Sequence, residues 1–304
     1  MSEHTPPSLS RHTLDLRTHP TVAILGSGTM GQGIAQVTAS AAHPTRIYDA
    51  NPERAQAALA AIGGQIEKLV AKGKLHSDAS GRILSLIELS PTVAAACRNA
   101  DIVIEAAPED MNLKVALLRE AIEHARSHAI IASNTSSLSI TELGARLGAR
   151  DRTIGLHFFN PPPLMELLEV VRGLETSPAV VEKATEFATA LGKTPIVVRD
   201  VAGFASSRLG VILGAEAVRM LETGVASARD IDRAMELGYR HPMGPLKLTD
   251  LVGLDVRLAI LEHLQKEVGE QFRPPGLLRM MVRAGKLGKK TGEGFYVWKD
   301  GKPE

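Results

Sequence analysis

Three clusters in this sequence combine residue types and spacings that suit chemistry. The first is His157-Phe158-Phe159-Asn160-Pro161-Pro162-Pro163, followed by Glu166 and Glu169 in an otherwise apolar stretch. A carboxylate inside Leu167-Leu168-Glu169-Val170-Val171 needs a partner, because burying it alone is costly. A histidine meets that need, and a His–Glu pair suits general acid–base work; a satisfied structural histidine is the competing reading. The second cluster is Ser133-Asn134-Thr135-Ser136-Ser137, also directly after an apolar run. The third is Gly26-Ser27-Gly28-Thr29-Met30-Gly31, which follows Val22-Ala23-Ile24-Leu25 and opens an alanine-rich stretch. In this pattern Gly26 allows a tight turn, Gly28 lets backbone approach a pyrophosphate, and Gly31 lets a helix pack closely on the sheet. The phosphates would sit on N–H groups at the helix N-terminus.

Asp49 falls eighteen residues after Gly31, at the end of the next strand, where a carboxylate accepts from ribose hydroxyls. It would repel a 2′-phosphate, so the expected cofactor is NAD rather than NADP. Arg46, a residue type that accommodates such a phosphate, lies earlier in the strand and is expected to face solvent.

The elements that must position these clusters alternate. Val22–Leu25, Arg46–Tyr48, Asp101–Glu105, Ala129–Ala132, Thr153–Phe158, Glu166–Val171 and Ile196–Val198 read as strands. Helices are expected over Met30–Ala42, Glu53–Ala71 (with Asn51-Pro52 as its start), Asn112–Arg126, and from Ser177-Pro178 to about Gly192. Strands alternating with helices predict an α/β fold with a Rossmann-like, doubly wound parallel sheet. Beyond Asp200 only helices are expected, over 203–222, 227–237, 245–268 and 275–284. The predicted organisation is a flexible arm over 1–19, an NAD-binding domain over 20–200 and an all-helical C-terminal domain over 201–304. In an open α/β sheet, ligands bind beyond the carboxyl ends of the strands, where the polar clusters lie.

Composition narrows the classes. The 304 residues are 44% hydrophobic and 23% charged, the balance of a globular chain, with a net charge of +1. Neither that charge nor the few aromatic residues (six Phe, three Tyr, one Trp) suggests a nucleic-acid partner. Cys97 is the single cysteine, so no disulfide framework or thiolate metal site is expected. It reads as a small hydrophobe. No apolar run is long enough to span a membrane, and the N-terminus lacks the regions of a secretory signal, so a cytoplasmic protein is expected. His4, His12 and His19 lack metal-site spacing.

Taken together, the glycine loop, Ser133–Leu138, His157–Pro161, His241-Pro242-Met243-Gly244-Pro245 and Gly288–Tyr296 resemble the 3-hydroxyacyl-CoA dehydrogenase family, most nearly its bacterial 3-hydroxybutyryl-CoA members. The resemblance runs from about Thr21 to Trp298. It implies that His157 is the catalytic base and that Glu169, rather than Glu166, is its partner. Ser136 and Asn160 would hydrogen-bond substrate and cofactor. Glu109, Lys114 and Lys290 would contact NAD; without the resemblance they read as solvated charges, and Ser136 reads as a helix cap. Lys72, in the basic tail with Lys68 and Lys74, resembles a CoA contact. The resemblance also implies an acyl-CoA substrate and a homodimer through the helical domain, where Leu209, Val211, Ile212, Leu213, Val218 and Met220 are apolar. One departure stands out: Ala202-Gly203-Phe204-Ala205-Ser206-Ser207-Arg208 puts Ser207 where the family has an active-site asparagine. Two readings remain beside this one, a dehydrogenase of the same fold acting on a hydroxy acid without CoA, and a non-catalytic NAD-binding structural protein.

Overall fold

An all-apolar run such as Val22–Leu25 can be buried on both faces, and it forms the central strand β1. In the computed structural model, which describes residues 19–304, the chain divides into two compact units between Asp200 and Val201. Of the expected arm, residues 1–18 lie outside the described residues.

The first unit runs β1, α1 (Thr29–Ser40), β2 (Thr45–Tyr48), α2 (Pro52–Ala71), α3 (Ala79–Leu84), β3 (Ile87–Leu89), α4 (Val93–Cys97), β4 (Ile102–Glu105), α5 (Met111–His124), β5 (Ile130–Ser133), α6 (Ile140–Leu147), β6 (Thr153–Phe158), β7 (Leu167–Arg172), α7 (Pro178–Ala190) and β8 (Thr194–Arg199). All eight strands join one sheet in the order β3-β2-β1-β4-β5-β6-β7-β8. The chain leaves β1 toward β2 on one side and returns to β4 on the other, so the sheet's crevice opens at the ends of β1 and β4. Alternate residues feed two apolar layers: Val22, Ile24, Ile102 and Ile104 face one, and Ala23, Leu25, Val103 and Cys97 the other. Burial pushes the Cys97 thiol up to about 12, as expected of a small core side chain.

Helix starts follow their caps. The Asn51 side chain accepts from Glu53 and Arg54 N–H, and Asp110, Ser139 and Ser177 cap α5, α6 and α7. Helices α3, α4 and α6 and strand β3 were not expected, and three further features differ from expectation. β7 runs antiparallel to β6, because the connection from Phe159 to Glu166 is too short for a helical crossover. The helix expected over 245–268 breaks at Gly253, whose φ of +107° is left-handed backbone. Strands also reappear after Asp200, as a short terminal hairpin.

The second unit contains α8 (Ser206–Glu222), α9 (Ala228–Arg233), a π-helical stretch over Ala234–Gly238, α10 (Pro245–Val252), α11 (Leu254–Glu267), α12 (Gly276–Arg283) and the hairpin strands β9 (Trp298–Lys299) and β10 (Lys302–Pro303). Val211, Val218, Leu246, Leu254, Leu261 and Phe272 build its own core. Two of the apolar residues of α8 expected to serve association, Val211 and Val218, are thus used within the unit.

Candidate active site

The pairing register places His157 of β6 directly opposite Glu169 of β7. On one face of a sheet such partners stand close enough to touch, and His157 Nδ1 lies 2.7 Å from Glu169 Oε2. Glu169 is 0% exposed and His157 is 7% exposed, whereas Glu166 is exposed. A carboxylate only accepts, so it fixes the proton on Nδ1 and makes Nε2 the basic nitrogen. The Phe159 ring packs against the imidazole at 4.6 Å between centroids.

The loop after β6 is fixed from two sides. Lys193 Nζ donates to the carbonyls of Pro162 and Met165 at 2.6 and 2.8 Å. Pro162 also packs on α1, where a Cβ on Gly33 would come within 2.6 Å of its ring. The loop carrying His157's neighbours, including the exposed Asn160, therefore rests on the helix that follows the glycine loop.

Around that glycine loop, Gly26 has φ +104°, and a Cβ there would stand 2.8 Å from the Ala106 carbonyl oxygen. On Gly31 a Cβ would fall 1.8 Å from the Gly26 oxygen. Gly28 differs, since a Cβ on it would meet nothing within 4 Å. Packing explains the first and third glycines, while the second leaves space that no protein atom fills. The N–H groups of Thr29, Met30 and Gly31, in the first helical turn, have no intrahelical acceptors. Asp49 Oδ2 accepts from Ser27 N and Oγ, both at 2.8 Å, and Oδ1 accepts from Asn51 N at 2.9 Å. Burial pushes the Asp49 carboxyl up, but the hydrogen bonds from Asn51 and Ser27 outweigh it and hold it below the usual carboxylate range. Arg46 is tied to Glu88 at 3.4 Å and to the Arg98 carbonyl at 2.7 Å, so it is half-buried rather than free in solvent.

Ser136 does not cap a helix; Ser139 does, for α6. Ser136 is exposed on the loop after β5, and its N–H donates to Glu109 Oε1 at 3.1 Å. The same oxygen accepts from Thr135 Oγ1 and Ser137 Oγ at 2.6 and 2.9 Å. Partial burial raises the Glu109 carboxyl, yet the Thr135 hydroxyl and the Lys114 charge bring it below its ordinary value. Lys114 is not a solvated charge: its side chain is enclosed and lies 2.8 Å from Glu105 Oε1.

Residues 21–201 match the NAD-binding domain of 3-hydroxyacyl-CoA dehydrogenase, and residues 203–298 match that enzyme's C-terminal domain. The chain belongs to the 3-hydroxyacyl-CoA dehydrogenase family. It is 42% identical over 280 residues to the "Probable 3-hydroxybutyryl-CoA dehydrogenase" of Bacillus subtilis, covering 92% of this chain and 97% of that protein. It is also 42% identical over 276 residues to the 3-hydroxybutyryl-CoA dehydrogenase of Clostridioides difficile, covering 90% and 98%. The crystal structure of (S)-3-hydroxybutyryl-CoA dehydrogenase from Ralstonia eutropha aligns with a TM-score of 0.90 at 41% identity, covering 93% of this chain and all of that one.

Membership makes the chain a dehydrogenase with NAD as its cofactor. The residues present fit that group: the open space over Gly28, the first turn of α1 and the ionised Asp49 form a cradle for a dinucleotide. In the second unit, Lys290 is bound to Asp255 at 2.5 and 2.7 Å, and Ser207 sits in the first turn of α8, half-buried. Lys72 is exposed at the C-terminus of α2.

Two residues were given no role from the sequence: Asn134, read only as part of the serine cluster, and Glu105. Asn134 accepts from Phe158 N at 2.9 Å and so ties the end of β5 to the end of β6. Glu105 closes β4 under the Ser136 loop and bonds Ser133 Oγ at 2.5 Å. Glu105 ends the apolar strand β4 and Asn134 follows Ser133 at the end of β5, and a polar residue closing a buried run was the signal available.

Proposed function

We propose that this dehydrogenase catalyses the reversible oxidation of a short-chain (S)-3-hydroxyacyl-CoA, such as 3-hydroxybutyryl-CoA, to the 3-ketoacyl-CoA. The observation that carries the reading is the buried His157–Glu169 contact at 2.7 Å, on the sheet that also carries the glycine loop. NAD, when bound, supplies the acceptor for the hydride that leaves C3. His157 Nε2 takes the hydroxyl proton in the oxidative direction and returns it in the reductive one. Glu169 orients the ring and stabilises the positive charge that the proton brings.

Gly26, Gly28, Thr29, Met30 and Gly31 hold the pyrophosphate, and Asp49 takes the ribose hydroxyls. Ser136 and Asn160 position and polarise the oxygens near the reacting carbon; the loops that carry them are pinned by Glu109 and Lys193. Glu109, Lys114 and Lys290 belong to the cofactor site, Lys72 to the CoA site, and Ser207 stands in for an asparagine in substrate binding. The named relatives favour a CoA ester and a short acyl chain over a free hydroxy acid.

Association as a homodimer through the helical unit completes the reading. Leu209, Leu237, Tyr239 and Met280 of that unit are exposed at 58% or more. Sedimentation at micromolar concentration checks this, and a monomer would contradict it. Among the described residues no helix is long and apolar enough to cross a membrane; residence in the cytoplasm is part of the proposal.

The substrate is tested by following NADH consumption with acetoacetyl-CoA and with free acetoacetate. Binding energy from a remote CoA group raises kcat as well as lowering KM, so the ester should win by about 10²-fold or more in kcat/KM. Equal use of the two would move the assignment to a hydroxy-acid dehydrogenase.

A further inference from the structure

The loop that follows His157 cannot satisfy its own backbone. Pro161, Pro162 and Pro163 stand in a row, and a proline has a carbonyl acceptor but no N–H donor. The Pro161 carbonyl is met inside the loop, by the N–H groups of Leu164 and Met165 at 3.0 and 3.1 Å. The carbonyls of Pro162 and Met165 are met from outside, both by the Lys193 ammonium, at 2.6 and 2.8 Å. The chain at Lys193 is fixed in turn, because Thr194 N donates to the Glu166 carbonyl at 2.8 Å and opens β8 there. One side chain thus closes both ends of the turn from Pro162 to Met165.

The other side of the turn meets α1. Pro162 is buried, and its ring lies against Gly33, where a Cβ would come within 2.6, 2.8 and 3.2 Å of three ring carbons. A proline ring cannot swing aside as a long side chain can, so only a glycine leaves it this place. Gly33 lies four residues after Thr29 and three after Met30, and so shares a helix face with the first turn of α1, the proposed seat of the pyrophosphate. The loop itself begins at Asn160, directly after Phe159, whose ring rests on the His157 imidazole. Gly33, Pro162 and Lys193 therefore form one line of contacts from the cofactor helix to the histidine motif.

We propose that the Pro162 ring, seated on Gly33 and held there by Lys193, sets the separation between the helix that carries the dinucleotide and the end of β6 that carries His157. Gly33 and Lys193 are then positioning residues for the hydride step, acting through the loop and not on the reacting atoms. The proposal rests on the dehydrogenase reading above and adds two residues that resemblance to the family did not single out.

Exchanging size across the contact tests it, with Gly33→Ala, Pro162→Ala, the two together, and Lys193→Met. In the protein without cofactor, hydrogen exchange at Leu164 and Met165 should quicken by about tenfold or more in Gly33→Ala and Lys193→Met, while the amides of β1 and β4 stay as in wild type. With NADH deuterated at C4, a single turnover against acetoacetyl-CoA reads the hydride step alone. A misplacement of about 1 Å costs up to about 10²-fold, so both variants should slow that step by at least about tenfold and change its isotope effect, with NADH affinity within about threefold of wild type. The double variant should recover most of the Gly33→Ala loss, since alanine at 162 removes the two ring carbons nearest the new methyl. A double variant as slow as Gly33→Ala, or a wild-type hydride rate in Lys193→Met, would overturn the proposal. So would faster exchange throughout the sheet, or slow transfer with an unchanged isotope effect, either of which marks a merely structural contact. Should Gly33→Ala fail to fold, Lys193→Met and Pro162→Ala decide by the same two readouts. If wild type itself does not oxidise NADH with acetoacetyl-CoA, the fault lies with the substrate reading, and wild-type loop exchange in the variants would overturn the positioning role separately.

Discussion

Both units bury carboxylates, but with different partners. In the α/β unit Glu169, within β7, meets an imidazole, and Glu105, the last residue of β4, meets an ammonium. In the helical unit the partners are mostly backbone. Asp232 accepts from the N–H groups of Leu246 and Lys247 at 2.8 and 3.0 Å, and Asp250 from those of Phe295 and Tyr296 at 2.8 and 2.9 Å. Tyr296 Oη reaches Asp232 at 2.7 Å and Trp298 Nε1 reaches Asp250 at 2.9 Å, so the C-terminal segment is clasped by two buried aspartates. Burial raises the Asp250 carboxyl above its ordinary value despite the bonds from Trp298, Phe295 and Tyr296. Glycines complete the clasp: a Cβ on Gly244 would fall 2.2 Å from Asp232, and one on Gly294 would fall 2.2 Å from Asp250. The motifs around His241–Pro245 and Gly288–Tyr296, as characteristic of the family as the histidine motif, thus have a structural reason. A buried carboxylate that takes N–H groups from distant segments joins chain to chain; one that takes a titratable side chain can move a proton.

That contrast can be broken by exchanging readouts. The largest effect is expected from Glu169→Gln. The amide can donate to Nδ1 and move the ring proton to Nε2, so kcat should fall by about 10²-fold or more, with folding little changed. Steady-state kinetics beside a melting curve checks both halves. Asp250→Ala should do the reverse. It strips an acceptor from one buried and two half-buried donors, and a buried donor left unsatisfied costs about 1–3 kcal/mol, so urea denaturation should show a loss of about 2 kcal/mol or more. An unchanged midpoint would remove the clasp. Gly244→Ala drives a methyl into Asp232 and should cost about 1–3 kcal/mol as an overpacking change.

The smallest effect sharpens the comparison inside the α/β unit. His43 is buried between the rings of His19 and Phe187. Burial first, and His19 second, hold its imidazole below the ordinary value, against the Pro20 backbone, which raises it. A histidine kept neutral by the fold binds its proton more readily when unfolded. Its contribution is present at higher pH and is lost as pH falls through the unfolded value of about 6.5. Chemical denaturation at pH 7.5 and 5.5 should show that loss in wild type and a smaller one in His43→Leu.

Much of the α/β unit was readable because central parallel strands are buried on both faces and leave apolar runs in the sequence. The glycine loop was readable because it follows such a run, the pairing of His157 with a glutamate because a carboxylate interrupts one, and Asp49 because it closes the next strand. The reversal of β7 was implicit in the short Phe159–Glu166 connection, but the apolar run alone carries no direction. Helix α6 was missed although Ser139 and Glu142 have capping-box spacing, and β3, at three residues, is too short to show a period. The break at Gly253 depends on one backbone torsion that apolar periodicity does not record. Lys114 and Glu105 lie nine residues apart on a helix and a strand, so only the fold brings them together.

The most direct test of the central claim is a single-turnover measurement of NADH oxidation by acetoacetyl-CoA in His157→Ala, with both ligands saturating. General acid–base catalysis contributes about 10²–10⁴-fold, and the rate should fall by that factor while NADH affinity and melting temperature remain those of the wild type. A loss of less than about tenfold would take the proton transfer away from His157.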